Sequence, residues 1–256
     1  MKIKTGIIGA GRITRIFLQA LKNKNIALNS VTIFDINNEI INKLKSQFPE
    51  IETGTLETVA SQDMVIIALH PPVIMETLEK IQPSVTKETI LISLAPKITS
   101  AVIAGKLGGI NKIIRLIPNA TSVINEGYNP VCFSDGFSQS EKKEILEILG
   151  TLGQTFEVPE KKLEAYAIVS AMAPTYFWFQ WSKLVDIGVE IGLESKESEE
   201  TVYKTMVAAL DTLLQSKLTR EEVFDLIPVK PIGEHEADIL NAYDSKLIGL
   251  YKKLTS

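Results

Sequence analysis

A glycine-rich turn near the start of the chain is the feature that most constrains its fold. In the run Gly6–Thr14 a short apolar strand turns at Gly9-Ala10-Gly11 into a helix. Such a turn presents free backbone N–H groups and the positive end of the helix dipole to an anion, and glycine lets the backbone approach a pyrophosphate. Glycine also occurs in strand-to-helix turns for steric reasons alone, and the third position of the Gly-x-Gly-x-x-Gly pattern is Thr14. The turn therefore predicts dinucleotide binding only together with its context.

An acidic residue after the second predicted strand supplies that context. The strand Ser30–Phe34 is followed by Asp35, twenty-four residues beyond Gly11. A carboxylate at this position can accept hydrogen bonds from both hydroxyls of an adenosine ribose. A 2′-phosphate facing Asp35 would be repelled, so the sequence favours NAD(H) over NADP(H), although Arg12 could reach such a phosphate from the glycine turn.

Apolar strands alternate with amphipathic helical patterns through the first 158 residues. Further strands are predicted at Asp63–Leu69, Thr89–Leu94 and Lys112–Ile117. This alternation requires right-handed crossovers and predicts an α/β fold, a Rossmann-like doubly wound sheet with ligands at the carboxyl ends of its strands. Those ends carry Gly9–Gly11, Asp35, His70-Pro71, Ser93–Ala95 and Asn119.

The alternation stops near Pro159, and the remaining residues read as helices. We therefore predict two domains, a dinucleotide-binding domain at 1–158 and an all-helical dimerisation and substrate domain at 159–256. The helix Tyr176–Ile191 is apolar nearly all round, which is typical of a helix buried in a core or between subunits. A small helical domain has little core to cover it, so a homodimer or larger homo-oligomer is favoured over burial within one chain.

Composition excludes several other classes of protein. The net charge of −4 gives no basic surface for nucleic acid or an anionic membrane. The longest apolar run, Met64–Leu69, is far shorter than the about 20 residues that span a bilayer, and no secretion signal is visible, so a cytoplasmic protein is expected. The single cysteine, Cys132, lies in an apolar run and is predicted to be a buried thiol. Two histidines far apart predict no metal site.

Five short blocks, in this order, resemble the pyrroline-5-carboxylate reductase family over nearly the whole chain. They are the glycine turn, Ala68-Leu69-His70-Pro71, Ser93-Leu94-Ala95, Arg115-Leu116-Ile117-Pro118-Asn119 with Glu126-Gly127, and Ser170-Ala171-Met172-Ala173-Pro174-Thr175-Tyr176. Members of that family are NAD(P)H-dependent, reduce a cyclic imine to proline and form dimers. The resemblance implies the same fold, cofactor class and type of reaction, with a small-molecule imine as substrate and a role in proline biosynthesis.

By position, the resemblance also implies the residues that contact the cofactor. They are Ile8, Gly9, Ala10, Gly11, Arg12 and Ile13 at the pyrophosphate, Asp35 and Thr55 on the adenosine side, Ala68, His70 and Pro71 near the nicotinamide ribose, and Ser93, Leu94 and Ala95 beside the ring. For His70 a ribose contact is favoured over catalysis.

Candidate catalytic residues are Asn119, Ser170 and His235, and each has a second interpretation. Asn119 could hold the nicotinamide amide or the substrate, or cap its own loop. Ser170 could bind substrate or cap the helix that begins at Pro174. His235 could donate a proton near neutral pH, or be a solvated residue at a helix start. Candidate substrate contacts are Asn119, Ala173, Gly233 and Glu234.

The chain departs from the family pattern in the loop expected to hold the substrate. The family's Pro-Gly-Gly-Thr-Thr best matches Pro231–His235, where Glu234 and His235 replace two hydroxyl residues. A carboxylate there would repel the carboxylate of pyrroline-5-carboxylate by about 1 to 4 kcal/mol at contact. The sequence therefore leaves two functions open: a reductase for this or a related imine or small carbonyl compound, and a cofactor-binding but catalytically silent relative that acts as a sensor or interaction protein.

Overall fold

The chain forms two compact units in the computed structural model, which describes residues 3–255. One unit runs to Met172 and also includes the residues from Tyr251 onward, and the other is Ala173–Leu250. This division lies later than residue 158, because Leu163 and Ala167 pack with Ile117 and Cys132 in an apolar cluster of the first unit. The functional boundary after residue 158 stays a prediction.

An eight-stranded sheet lies at the centre of the first unit. Its strands are β1 (Thr5–Ile8), β2 (Val31–Phe34), β3 (Glu52–Thr53), β4 (Met64–Ile67), β5 (Ile90–Ser93), β6 (Ile113–Leu116), β7 (Gly127–Phe133) and β8 (Gly153–Glu157). The order is β3-β2-β1-β4-β5-β6-β7-β8, and neighbouring strands are parallel except β6 and β7. The first six strands have the Rossmann order, which confirms the predicted α/β fold.

Helices cover both faces of this sheet. They are α1 (Arg12–Asn23), α2 (Asn38–Gln47), α3 (Leu56–Ala60), α4 (Pro71–Ile81), α5 (Ser100–Lys106), α6 (Gln139–Leu149) and α7 (Leu163–Tyr166). One apolar cluster joins α1, α2 and α6 to one face, and a second joins α3, α4 and α5 to the other. Successive side chains of β1, Ile7 and Ile8, enter opposite clusters, which explains why such strands read as unbroken apolar runs.

Both edge strands of the sheet, β3 and β8, and helix α6 were not predicted from the sequence. The signal for α6 is present: Ser138 and Glu141 form a capping box at its start. Cys132 lies buried in β7, as predicted, and burial is the main cause that raises the pKa of its thiol to about 11. This thiol is therefore protonated at neutral pH.

The second unit is helical, as predicted. It contains α8 (Pro174–Glu190), α9 (Ser195–Gln215), α10 (Arg220–Asp225), a 3₁₀ turn at Gly233–His235 and α11 (Glu236–Tyr243). Helix α11 continues through a π-helical segment, Asp244–Ile248, into α12 (Gly249–Thr255), whose residues from Tyr251 onward belong to the first unit. Thr219 and Glu222 form a capping box at the start of α10. In the described part of the chain, no helix combines the length and apolar character needed to cross a membrane.

Much of the apolar surface of α8 and α9 is exposed. Phe179 is 67% exposed and Trp178 is 48% exposed, and on α9 Leu210 and Leu214 are also exposed. The buried residue of α8 is Gly188, which packs against Ser198 of α9. Burial of α8 within one chain, the alternative that the sequence left open, is therefore wrong for most of its apolar side chains.

Candidate cofactor-binding site

Gly9 fixes the turn between β1 and α1. Its φ of +106° lies in the region that favours glycine, and a Cβ atom there would come within 2.5 Å of the carbonyl oxygen of Ala68. Its backbone N–H donates to the carbonyl of Phe34 at 2.8 Å. The turn is thereby held against the carboxyl ends of β2 and β4, and no other residue type fits without strain.

Gly11 is a different case, because the protein itself does not require glycine there. Its backbone is extended, and a Cβ atom would meet no protein atom within 4 Å. Helix α1 begins at Arg12 without a side-chain cap or an acidic residue in its first turn, as the structure describes it. Its first N–H groups and dipole therefore face an open space, and a helix start of this kind attracts anions.

Cations add to this anion-binding character. Arg12, Arg15 and Lys43 line an open cavity of about 300 Å³ together with Ala10 and Gly11. The cavity lies between α1 and α2, on the side where an adenosine is predicted. These side chains give the adenosine end of the site a positive field, which attracts a dinucleotide phosphate.

Thr14 shows why the third glycine of the pattern is dispensable here. Its side chain is buried, and its hydroxyl donates to the carbonyl of Gly9 at 2.6 Å. The hydroxyl thus fills the gap between helix and turn and satisfies a backbone acceptor of the turn.

Asp35 lies beside the glycine turn and is bonded to it. One carboxylate oxygen accepts a hydrogen bond from the N–H of Ala10 at 2.7 Å, and the other accepts one from the N–H of Asn37 at 2.9 Å. The carboxylate therefore ties the end of β2 to the turn. A carboxylate oxygen has further acceptor capacity, so a contact with ribose hydroxyls stays a prediction.

The residues predicted near the nicotinamide end follow two neighbouring strands. The N–H of Ala68, just after β4, donates to the carbonyl of Ile8 at 2.9 Å. His70 is exposed and directly precedes α4, of which Pro71 is the first residue. Ser93, the last residue of β5, is buried, as are Leu94 and Ala95. Because β1, β4 and β5 are adjacent and parallel, these residues share one edge of the sheet.

Thr55, predicted on the adenosine side, accepts a hydrogen bond from the N–H of Thr58 as the cap of α3.

Two of the predicted catalytic residues are in contact. The side-chain amide of Asn119 donates to the carbonyl and hydroxyl oxygens of Ser170, both at 3.2 Å. Its carbonyl oxygen accepts from the N–H and hydroxyl of Thr121, so Asn119 also caps its own loop. The hydroxyl of Ser170 donates to the carbonyl of Tyr128, and α8 has no side-chain cap in the described structure. The prediction that Ser170 caps that helix is wrong.

The remaining predicted residues lie in the second unit. Ala173 directly precedes α8, and Gly233, Glu234 and His235 form the turn before α11. The Nε2 atom of His235 lies 3.5 Å from a carboxylate oxygen of Glu234, and both side chains are largely exposed. Gly233 lines a cavity of about 340 Å³ in this unit, with Lys230, Pro231, Ile232, Glu236, Ile239 and Leu240.

One buried charge near this edge was missed by the sequence analysis. Arg115 begins the block Arg115–Asn119, and its side chain lies in the core, where it pairs with Glu160 and Glu164. The sequence signal for this network was an arginine inside the apolar strand Lys112–Ile117. A guanidinium buried in such a strand requires charged or polar partners, so acidic residues were to be expected near it. Among residues 3–255, no group of histidine, cysteine and acidic residues could hold a metal ion.

The Rossmann strand order, the glycine turn and the acidic residue after β2 define the class of nicotinamide-dinucleotide oxidoreductases. A family model described as "NADP oxidoreductase coenzyme F420-dependent" matches residues 4–97. The chain is 28% identical to pyrroline-5-carboxylate reductase 3 of Xenopus laevis over 220 residues, 85% of this chain and 80% of the relative. It is 24% identical to pyrroline-5-carboxylate reductase of Staphylococcus saprophyticus over 227 residues, 86% of this chain and 83% of the relative.

Solved structures give the same result for the fold. The crystal structure of Plasmodium falciparum pyrroline carboxylate reductase with NADP bound matches with a TM-score of 0.80 at 21% identity, covering 99% of this chain and 97% of that one. The enzyme from Coxiella burnetii matches with a TM-score of 0.71 at 22% identity, covering 100% and 95%. In sequence and in fold the chain is therefore similar to pyrroline-5-carboxylate reductases.

The two glycines of the turn should respond differently to the same substitution. Gly9→Ala should lower the free energy of unfolding by about 2 kcal/mol or more, because of its positive φ and the Ala68 carbonyl. Gly11→Ala should change stability by less than about 0.5 kcal/mol. It should still weaken NADH binding by about tenfold or more, since the methyl group would occupy the space in front of α1. Urea unfolding and NADH fluorescence measure the two effects. A stable Gly11→Ala variant that binds NADH normally would contradict this account of the site.

Proposed function

We propose that the protein is an NAD(P)H-dependent imine reductase that converts pyrroline-5-carboxylate, or a related cyclic imine, to the corresponding cyclic amine. The observation that carries this proposal is the glycine turn. At Gly11 it leaves an open space in front of an uncapped helix end and beside Asp35, where an anionic ligand would bind. The similarity to pyrroline-5-carboxylate reductases over more than four fifths of the chain supports the choice of reaction.

Hydride transfer to an imine requires little covalent chemistry from the protein. A bound reduced nicotinamide supplies a hydride, and a protonated imine already accepts one, so orientation and a proton source are what the residues must provide. The end of α1 would hold the pyrophosphate, and Ser93–Ala95 would support the ring. The linked pair Asn119 and Ser170 would orient the ring amide or the substrate. His235, with Glu234 at 3.5 Å, would supply a proton.

The loop Pro231–His235 is proposed to set the substrate. If the side chains of Glu234 and His235 face the substrate, the carboxylate disfavours an anionic imine, and the preferred substrate is less anionic or carries an extra amine. Wild-type protein should oxidise NADH with a cyclic imine. Glu234→Thr, which leaves His235 in place, should then raise kcat/KM for pyrroline-5-carboxylate by about tenfold, or about 1.4 kcal/mol of transition-state stabilisation.

The matched control for this loop is Glu199→Thr, an equivalent change at an exposed position of α9. It should leave kcat/KM unchanged. Unchanged kinetics in Glu234→Thr as well would place Glu234 outside the substrate site. If the wild type binds NADH but turns over no pyrroline-5-carboxylate, piperideine carboxylate or simple keto acid, the proposed reaction is wrong.

The preferred cofactor is proposed to be NAD(H). The carboxylate of Asp35 would face a 2′-phosphate, and this repulsion opposes the attraction of Arg12, Arg15 and Lys43. Asp35→Ser should therefore shift the ratio of the NADH and NADPH dissociation constants toward NADPH by about tenfold or more. Asp35→Asn separates two effects, because its amide oxygen can still accept from the N–H of Ala10 while the charge is lost. Equal or tighter NADPH binding by the wild type would contradict the role given to Asp35.

The protein is also proposed to form a homodimer through α8 and α9. Their exposed apolar side chains form a surface that a monomer would leave in water, and symmetric pairing with a second copy would cover it. Phe179→Glu should give a monomer or aggregate by light scattering, because an unpaired charge in an apolar contact is costly. Val102→Glu, an exposed position of α5, is the control and should leave the dimer intact. A wild-type monomer at micromolar concentration would contradict the proposal.

A further inference from the structure

A buried ion network surrounds Arg115 of β6. The side chain of Arg115 is 1% exposed, and its Nη1 and Nη2 atoms donate to Glu160 at 3.1 Å and to Glu164 at 2.6 Å. Both carboxylates belong to the segment that leads into and forms α7. Burying a guanidinium between two carboxylates is a poor way to gain stability, since apolar residues of similar volume usually do as well. The network therefore calls for a further role.

The same two carboxylates also hold the loop between β5 and α5. The Oε1 atom of Glu160 accepts from the backbone N–H of Ser100 at 2.7 Å, and the Oε1 atom of Glu164 accepts from the backbone N–H of Lys97 at 3.1 Å. Burial pushes the pKa of Glu160 upward, but the Ser100 N–H and the Arg115 guanidinium outweigh burial and hold this pKa below its ordinary value. At neutral pH Glu160 is thus a charged acceptor for this loop.

The loop carries a strained residue at the point where it is held. Lys97 has a φ of +75°, in the left-handed region that a lysine adopts only at a cost. Such conformations persist when the surroundings over-determine them, and they cluster at functional sites. Lys97 stands two residues after Ala95, at the end of the buried segment Ser93–Ala95. Its backbone N–H is fixed by Glu164, and its ammonium group donates to the carbonyl of Lys253 at 3.3 Å.

We propose that Arg115 is a positioning residue that acts through Glu160 and Glu164 to fix the loop after β5, so that Ser93–Ala95 support the nicotinamide ring. This inference rests on the proposed function, because it takes Ser93–Ala95 as the ring's support. The planar fork of arginine suits the task, since it meets two carboxylates at two different nitrogens, which the single ammonium of lysine does less well. Through these contacts β6 and α7 hold the loop after β5 in place at the proposed nicotinamide end of the cofactor site.

The test compares two ligands that differ only at that end. NADH carries the nicotinamide, whereas ADP-ribose has only the adenosine, the pyrophosphate and the second ribose. Glu164→Met removes the acceptor of the Lys97 N–H, and should weaken NADH binding by about tenfold or more while ADP-ribose binding changes less than about twofold. Glu164→Gln keeps an acceptor oxygen for this N–H and should lose clearly less affinity for NADH.

A second-site change separates positioning from general stability. Glycine adopts a φ of +75° without strain, so Lys97→Gly in the Glu164→Met background should recover most of the lost NADH affinity without restoring the ion network. A merely structural role would not show this recovery.

If Glu164→Met does not fold, Arg115→Lys, which keeps the buried charge, takes its place under the same criteria. Glu88→Met removes a surface ion pair of Lys112, near the start of β6, and is the control for both ligands.

The outcomes decide the proposal directly. A selective loss for NADH that Lys97→Gly recovers supports it. Equal losses for NADH and ADP-ribose, no loss for either, or no recovery by Lys97→Gly would overturn it. These are binding measurements that need no imine. A wild type that binds NADH but reduces no imine would therefore overturn the proposed function and leave the positioning test intact.

Discussion

The close approach of Gly9 to the carbonyl oxygen of Ala68 is the contact on which the cofactor site depends. It brings the turn after β1 against the end of β4, in a backbone conformation that only glycine adopts without strain. The N–H of the next residue, Ala10, is then in place for the carboxylate of Asp35. The ends of three adjacent strands are thereby fixed relative to one another before any ligand binds. The site is pre-organised by the backbone rather than by mobile side chains.

The fold, the glycine turn and the acidic residue after β2 could be predicted because their sequence signals are local. The glycine turn, the apolar strands and the acid after β2 each lie within a few residues, and short motifs carry the resemblance to pyrroline-5-carboxylate reductases. The contact of Asn119 with Ser170 and the network of Arg115 join residues about fifty positions apart, which no local pattern records. The short strand β3 has only two residues, too few for a periodic signal. What remained hidden was therefore which distant polar groups satisfy one another.

The two units differ in how completely they bury their apolar side chains. In the first, both faces of the sheet are covered, and charged groups enter the core only when paired, as Arg115 does. In the second, the longest helices keep large apolar side chains in contact with solvent. In the proposed homodimer the second unit would gain stability by association, so its folding should depend on protein concentration and that of the first unit should not.

The open space in front of Gly11 has an evolutionary consequence. Gly9 is required by the fold, whereas nothing in the protein opposes a side chain at Gly11. Steric packing within the protein therefore does not require glycine at that position, and a bound dinucleotide would. In a lineage that had ceased to use the dinucleotide, Gly11 would be replaced freely while Gly9 remained. Only a replacement of Gly9 would strain the turn. The identity of this one residue is thus a record, readable in any related chain, of whether its ancestors continued to bind the cofactor.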